Sequence, residues 1–152
     1  MTFLADLLTN RMLIVPIIAW ALAQIIKTAL YAFLNKDFVA ERLVGGGGMP
    51  SAHSATVCSL AATAAFLFGL GSFEFAICTV FAIVTMYDAM GVRRETGRQG
   101  EVLNDVIEIF NKMGKHVGPE KALKELIGHS PFQVLMGGLL GIAISFASYY
   151  LF

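Results

Sequence analysis

Apolar residues fall into four stretches that reach or approach the length of a membrane span, separated by one very short link and two long polar ones. A hydrocarbon core about 30 Å thick is crossed by roughly 20 apolar residues of helix. The first stretch, Met12 to Leu34, is broken only by Gln24 and Lys27. The second, Ala52 to Gly71, carries Ala55, Ala61, Ala62, Ala64 and Ala65; small side chains let helices approach closely, so it is expected at the centre of a bundle. The third, Ser72 to Met90, is uncharged from Phe75 to Tyr87, and the fourth, Pro131 to Phe152, is uncharged throughout. Gly137 and Gly141, four residues apart, form a packing notch for a helix of this chain or of a second copy, so a homodimer is one expectation. Backbone groups in lipid must bond within their own segment, which makes helices the natural spanning element here. The predicted fold is an all-α integral membrane bundle of about four transmembrane helices.

The link Gly69-Leu70-Gly71-Ser72 makes the second and third spans a tight antiparallel hairpin. In the link from 91 to 130, Val102, Leu103, Val106, Ile109, Phe110 and Met113 recur at helical spacing and predict an amphipathic helix. A second short helix is expected from Pro119 to Ile127, with proline in its first turn. Such helices lie at the membrane interface or pack over the bundle. Alternating spans bring the end of the first, the start of the second, the end of the third and the start of the fourth to one membrane face. That face collects Lys27, His53, Asp88, Arg93, Arg94, Arg98 and His129, whereas the other offers Asp6, Arg11, Glu74 and little else.

Composition supports the membrane reading: the chain is 57% hydrophobic and 14% charged, against about 25% charged in average soluble domains. Its 152 residues predict one domain, 1–152. The formal net charge is zero, and nothing in the chain suggests nucleic acid as a partner. Cys58 and Cys78 lie in apolar stretches, with no disulfide or metal-binding spacing. The first apolar stretch lacks the flanks of a cleavable signal and is expected to be retained. All Lys and Arg residues except Arg11 and Lys27 fall in the two polar links on the histidine-bearing side. By the positive-inside rule that side is cytoplasmic, with both termini outside, in a membrane expected to be the bacterial plasma membrane.

The candidate chemistry starts at the glycine run Gly45 to Gly48, which leads into Pro50-Ser51-Ala52-His53. Glycines allow close backbone approach to a ligand, Ser51 suits an N-cap, and a helix N-terminus favours an anion. The pattern is either a phosphate cradle with an acid/base histidine or a glycine connector ahead of an ordinary cap. Lys27 lies about 10 Å inside its helix. It either faces a ligand, with Gln24 and Tyr31 on the same side, or snorkels to the interface. Asp88 suits an ion pair with Arg93 or Arg94. The three arginines of Gly91-Val92-Arg93-Arg94-Glu95-Thr96-Gly97-Arg98 match phosphate oxygens, or lipid headgroups on the cytoplasmic side. His129 stands in Gly128-His129-Ser130-Pro131, where Ser130 is a candidate N-cap and Pro131 the first helical residue. Two histidines beside helix N-termini on one face make a candidate nucleophile and acid/base pair; His116 is expected to face solvent.

On the segments Gly47-Gly48-Met49-Pro50-Ser51-Ala52-His53-Ser54-Ala55, Asp88 to Gln99, and Gly128-His129-Ser130-Pro131 with Val134 and Gly137, the sequence resembles the divergent branch of the type-2 phosphatidic acid phosphatase and vanadium haloperoxidase superfamily. The resemblance implies metal-independent, cofactor-free removal of phosphate from a membrane lipid phosphate. His129 would form a phosphohistidine and His53 would protonate the departing oxygen. Lys27, Ser51, Arg93, Arg94, Arg98 and the amides around Gly47 and Gly48 would bind the phosphoryl group. A well-placed donor to such an oxyanion is worth about 3 kcal/mol. The family's aspartate four residues after the nucleophile is Gln133 here, whose carbonyl can accept an imidazole N–H, while Asp88, Glu95 or Glu125 are alternative sources of a carboxylate. Phosphatidylglycerophosphate and isoprenoid phosphates are candidate substrates. A catalytically silent phospholipid-binding or lipid-transport protein is the alternative.

Overall fold

The computed structural model describes residues 3–36, 48–114 and 128–151, without the side chains of residues 4 and 92–94. The described residues form six helices and no strand: α1 Phe3–Thr9, α2 Arg11–Asn35, α3 Ala52–Phe68, α4 Phe73–Met90, α5 Val92–Lys112 and α6 Pro131–Leu151. Short side chains cap them as helix-start chemistry requires. Asn10 Oδ1 accepts the Met12 N–H at 3.0 Å, separating the unanticipated α1 from α2. Ser72 Oγ accepts the Phe75 N–H at 3.1 Å and donates to the Gly69 carbonyl at 2.8 Å, closing the α3–α4 hairpin.

Three helical runs, Arg11–Asn35, Phe73–Lys112 and Pro131–Leu151, are long and apolar enough to cross a membrane. α3 has 17 residues, about 25 Å of helix, and ends at Phe68 rather than Gly71. It is the central helix, packed against α2, α4 and α6. Small residues create this position. Ala19 and Ala23 of α2 meet Ala52 and Ala55 of α3, all buried. On the other side, Gly137 and Gly141 of α6 lie against the α3 backbone: a Cβ on Gly137 would collide with the Ser51 carbonyl oxygen, and one on Gly141 with that of Ala55. The glycine notch is therefore filled within the chain.

Polar atoms join the same seam. Ser145 Oγ of α6 donates to the Ser59 carbonyl of α3 at 2.8 Å and lies 3.1 Å from Thr63 Oγ1. All three side chains are buried, whereas Val80, Phe81 and Val84 of α4 and Leu135, Leu139 and Phe146 of α6 are exposed. Small polar groups inside and large apolar groups outside suit a bundle whose solvent is lipid.

α5 follows α4 after Gly91 and, among the described elements, packs only against α4. Val102, Leu103, Val106 and Ile109 remain exposed on it. Packing over the described bundle is thereby replaced by an uncovered amphipathic face, the form expected of an interfacial helix. The expected helix from Pro119 to Ile127 lies outside the described residues.

Candidate functional site

Three helix ends meet at one face, joined by two backbone hydrogen bonds. The Ser51 N–H donates to the Gln133 carbonyl at 3.0 Å, tying the start of α3 to the first turn of α6. The His129 N–H donates to the Ala89 carbonyl at 3.1 Å, tying the approach to α6 to the last turn of α4. Local chemistry fixes each start: Ser51 Oγ accepts the Ser54 N–H at 3.4 Å, and Ser130 Oγ accepts the Gln133 N–H at 3.3 Å.

His53 and His129, far apart in sequence, consequently meet. Their ring centroids are 5.6 Å apart in an edge-to-face arrangement. His129 is 1% exposed and His53 half-buried. Lys27 of α2 is 4% exposed despite its charge, and its stem packs at Gly48, five residues before His53. Gly48, at φ +86°, lies against it: a Cβ there would stand 3.0 Å from Lys27 Cγ and 3.1 Å from Cδ. The last glycine of the run thus admits the lysine stem where any side chain would crowd it. Two helix N-termini, two imidazoles and a buried ammonium form a setting that favours an anion.

The other expected site residues divide. Asp88 is half-buried in the last turn of α4, next to the Ala89 carbonyl that anchors His129. Arg98 is exposed and pairs with Glu95 at 3.9 Å. Arg93 and Arg94 are in the first turn of α5, with side chains outside the described set. Gly47 and Glu125 lie outside the described residues altogether. The side-chain amide oxygen Oε1 of Gln133, expected to accept from the His129 imidazole, accepts the Ser130 N–H at 3.0 Å. Together with the reciprocal Ser130 bond this is a capping box, and its Ser-x-x-Gln pattern was present in the sequence. The Ala89 carbonyl had no such signal, because a backbone acceptor has no residue identity.

These features define an all-helical integral membrane protein with buried Lys27 and His129 among its described residues. More narrowly, the chain belongs to the divergent PAP2 family, whose model matches residues 8–144. It is 37% identical to YuiD, an uncharacterized membrane protein of Bacillus subtilis (strain 168), over 156 aligned residues covering 97% of this chain and 99% of the relative. No solved structure matches the chain.

Proposed function

We propose that the protein is a metal-independent membrane lipid phosphatase whose nucleophile is His129 and whose general acid is His53. The observation that carries this reading is the meeting of two imidazoles, 5.6 Å apart at their centroids, at the start of α3 and the approach to α6. An imidazole nitrogen of His129 attacks phosphorus and forms an N–P bond as the P–O bond to the lipid breaks. The electron pair of that bond leaves on the lipid oxygen, which takes a proton from the His53 imidazolium. Water then attacks phosphorus, its proton passing to His53, and cleavage of the N–P bond restores neutral His129 and releases inorganic phosphate. Lys27, Ser51, the amides around Gly47 and Gly48, and the α5 arginines Arg93, Arg94 and Arg98 bind the phosphoryl oxygens. Asp88 supports His129 electrostatically from the end of α4. No step requires a cofactor. The substrate is a lipid phosphomonoester or pyrophosphate, with phosphatidylglycerophosphate and isoprenoid phosphates as candidates, presented from the cytoplasmic leaflet of a bacterial plasma membrane.

The capping role of Gln133 favours a second reading. With the side-chain Oε1 of Gln133 bound to the Ser130 N–H, the site suits a protein that binds a phospholipid headgroup, or moves the lipid, without hydrolysing it. Phosphate release from a panel of lipid phosphates in detergent separates the two. Hydrolysis is expected from the wild type and is expected to fall at least about 10²-fold in His53→Ala, the usual scale of general acid catalysis, and further in His129→Ala. Release unchanged in both variants overturns the phosphatase mechanism, and binding without release from the wild type supports the silent carrier.

A further inference from the structure

Beneath the histidine pair, α2 and α3 present facing stripes that change from polar to apolar in step. On α2, Lys27, Gln24, Trp20, Ile17 and Leu13 follow at three- and four-residue spacing, one face of the helix. On α3, His53, Thr56 and Leu60 do the same in the opposite direction. The lower parts of both stripes line one groove of about 270 Å³, together with Pro16. Leu13, Ile17 and Trp20 are 43%, 61% and 43% exposed, so the groove opens sideways to the bilayer. Thr56 adds no polar demand: its hydroxyl donates to the Ala52 carbonyl at 2.8 Å and leaves the methyl group for the groove.

Gln24 stands at the junction, 6% exposed, and its Oε1 has no hydrogen-bond partner among the described residues. An unsatisfied buried carbonyl costs about 1–3 kcal/mol. At about 1.5 Å per residue it lies roughly 4.5 Å below Lys27 and a further turn above Trp20. The order of ammonium, amide acceptor and open apolar seam suits an alkyl phosphate: anionic oxygens, a protonated phosphate oxygen that can donate to the amide, then hydrocarbon.

We propose that the α2–α3 seam is the subsite for one hydrocarbon chain of the lipid phosphate, with Gln24 Oε1 accepting a hydrogen bond from a protonated oxygen of the phosphate. The assignment rests on the phosphate-binding reading of the histidine face. It identifies the preferred ligand as a lipid whose chain descends directly from its phosphate end. The groove falls just below the usual volume range for small-molecule pockets, about 300–1,000 Å³, and takes one chain rather than two. A larger groove of about 790 Å³ lies on the other side of α2, between Ile14 and Ile18 and Ile144 and Ser148 of α6, but reaches toward Arg11 and away from the histidines.

The test is photolabelling of the full-length protein in detergent with hexadecyl phosphate carrying a mid-chain diazirine, mapped by peptide mass spectrometry. The expected label falls on Ile17, Trp20, Thr56 and Leu60 and is competed by hexadecyl phosphate but not by hexadecanol. Leu60→Trp, which fills the seam, is expected to lower labelling about tenfold, the worth of roughly two buried methylenes. Gln24→Leu is expected to weaken competition by the phosphate. Label spread over the lipid-facing side of α4, concentrated in the larger groove, or competed equally by the alcohol overturns the assignment. Phosphate release is followed in the same samples. Labelled seam without release overturns hydrolysis and leaves the subsite standing, whereas release with label elsewhere overturns the subsite alone.

Discussion

Gly48 and Gln133 show how single residues set the site. At Gly48 the left-handed φ of +86° and the 3.0 Å approach of Lys27 Cγ to a built Cβ act together. Gly48→Ala is therefore expected to cost about 1–2 kcal/mol in backbone strain and to displace Lys27. The readouts are a lower melting temperature in detergent and weaker phosphate competition. The glycine run was legible in the sequence; its partner was not, because nothing local joins Gly48 to a lysine one helix earlier. Gln133 shows the reverse. Its position four residues after His129 points to the imidazole as a partner, while the Ser-x-x-Gln pattern that governs its contact lies in the same segment. Gln133→Leu is expected to lower stability by about 1 kcal/mol, the usual value of a cap. Gln133→Glu, which preserves the capping box, is expected to retain it. Equal melting temperatures for the two variants would contradict the capping role.

At the level of elements, the α3–α6 seam aligns the histidines. Gly141 touches the Ala55 backbone, so a side chain there forces the helices apart along the seam that also carries the Ser145 to Ser59 hydrogen bond. Gly141→Val is expected to abolish folding or lower the melting temperature more than Ser145→Ala does. Losing one interhelical hydrogen bond in a membrane protein costs about 0.6 kcal/mol on average. Comparing the two variants by thermal denaturation checks the ranking. The helices were legible to within a few residues because apolar length and breaker residues are local signals. The short α1 is not legible, since seven residues give too little periodicity to stand out. The destination of the Gly137/Gly141 notch was not legible either, because a small-residue spacing advertises a close contact without naming the other surface.

Across the molecule, alternating helices gather buried charge and imidazole at one end of a bundle whose flanks are apolar, and the sequence already implied that asymmetry. The pairing of His53 and His129 was expected from their common face, whereas the backbone bonds that bring them together, from Ser51 to Gln133 and from His129 to Ala89, had no signal in the sequence. The proposed cytoplasmic placement predicts that single cysteines replacing Arg98 or Lys112 are protected from an impermeant thiol reagent added to intact cells and react after permeabilisation; ready labelling from outside would reverse the orientation. The central claim is chemical and is tested most directly by trapping the phosphorylated enzyme. Rapid acid-free quenching after mixing with a lipid phosphate labelled at phosphorus is predicted to place a base-stable, acid-labile label on the peptide containing His129, absent from His129→Ala. Steady release of phosphate with no label on that peptide at any time, or with the label on another residue, would contradict the account.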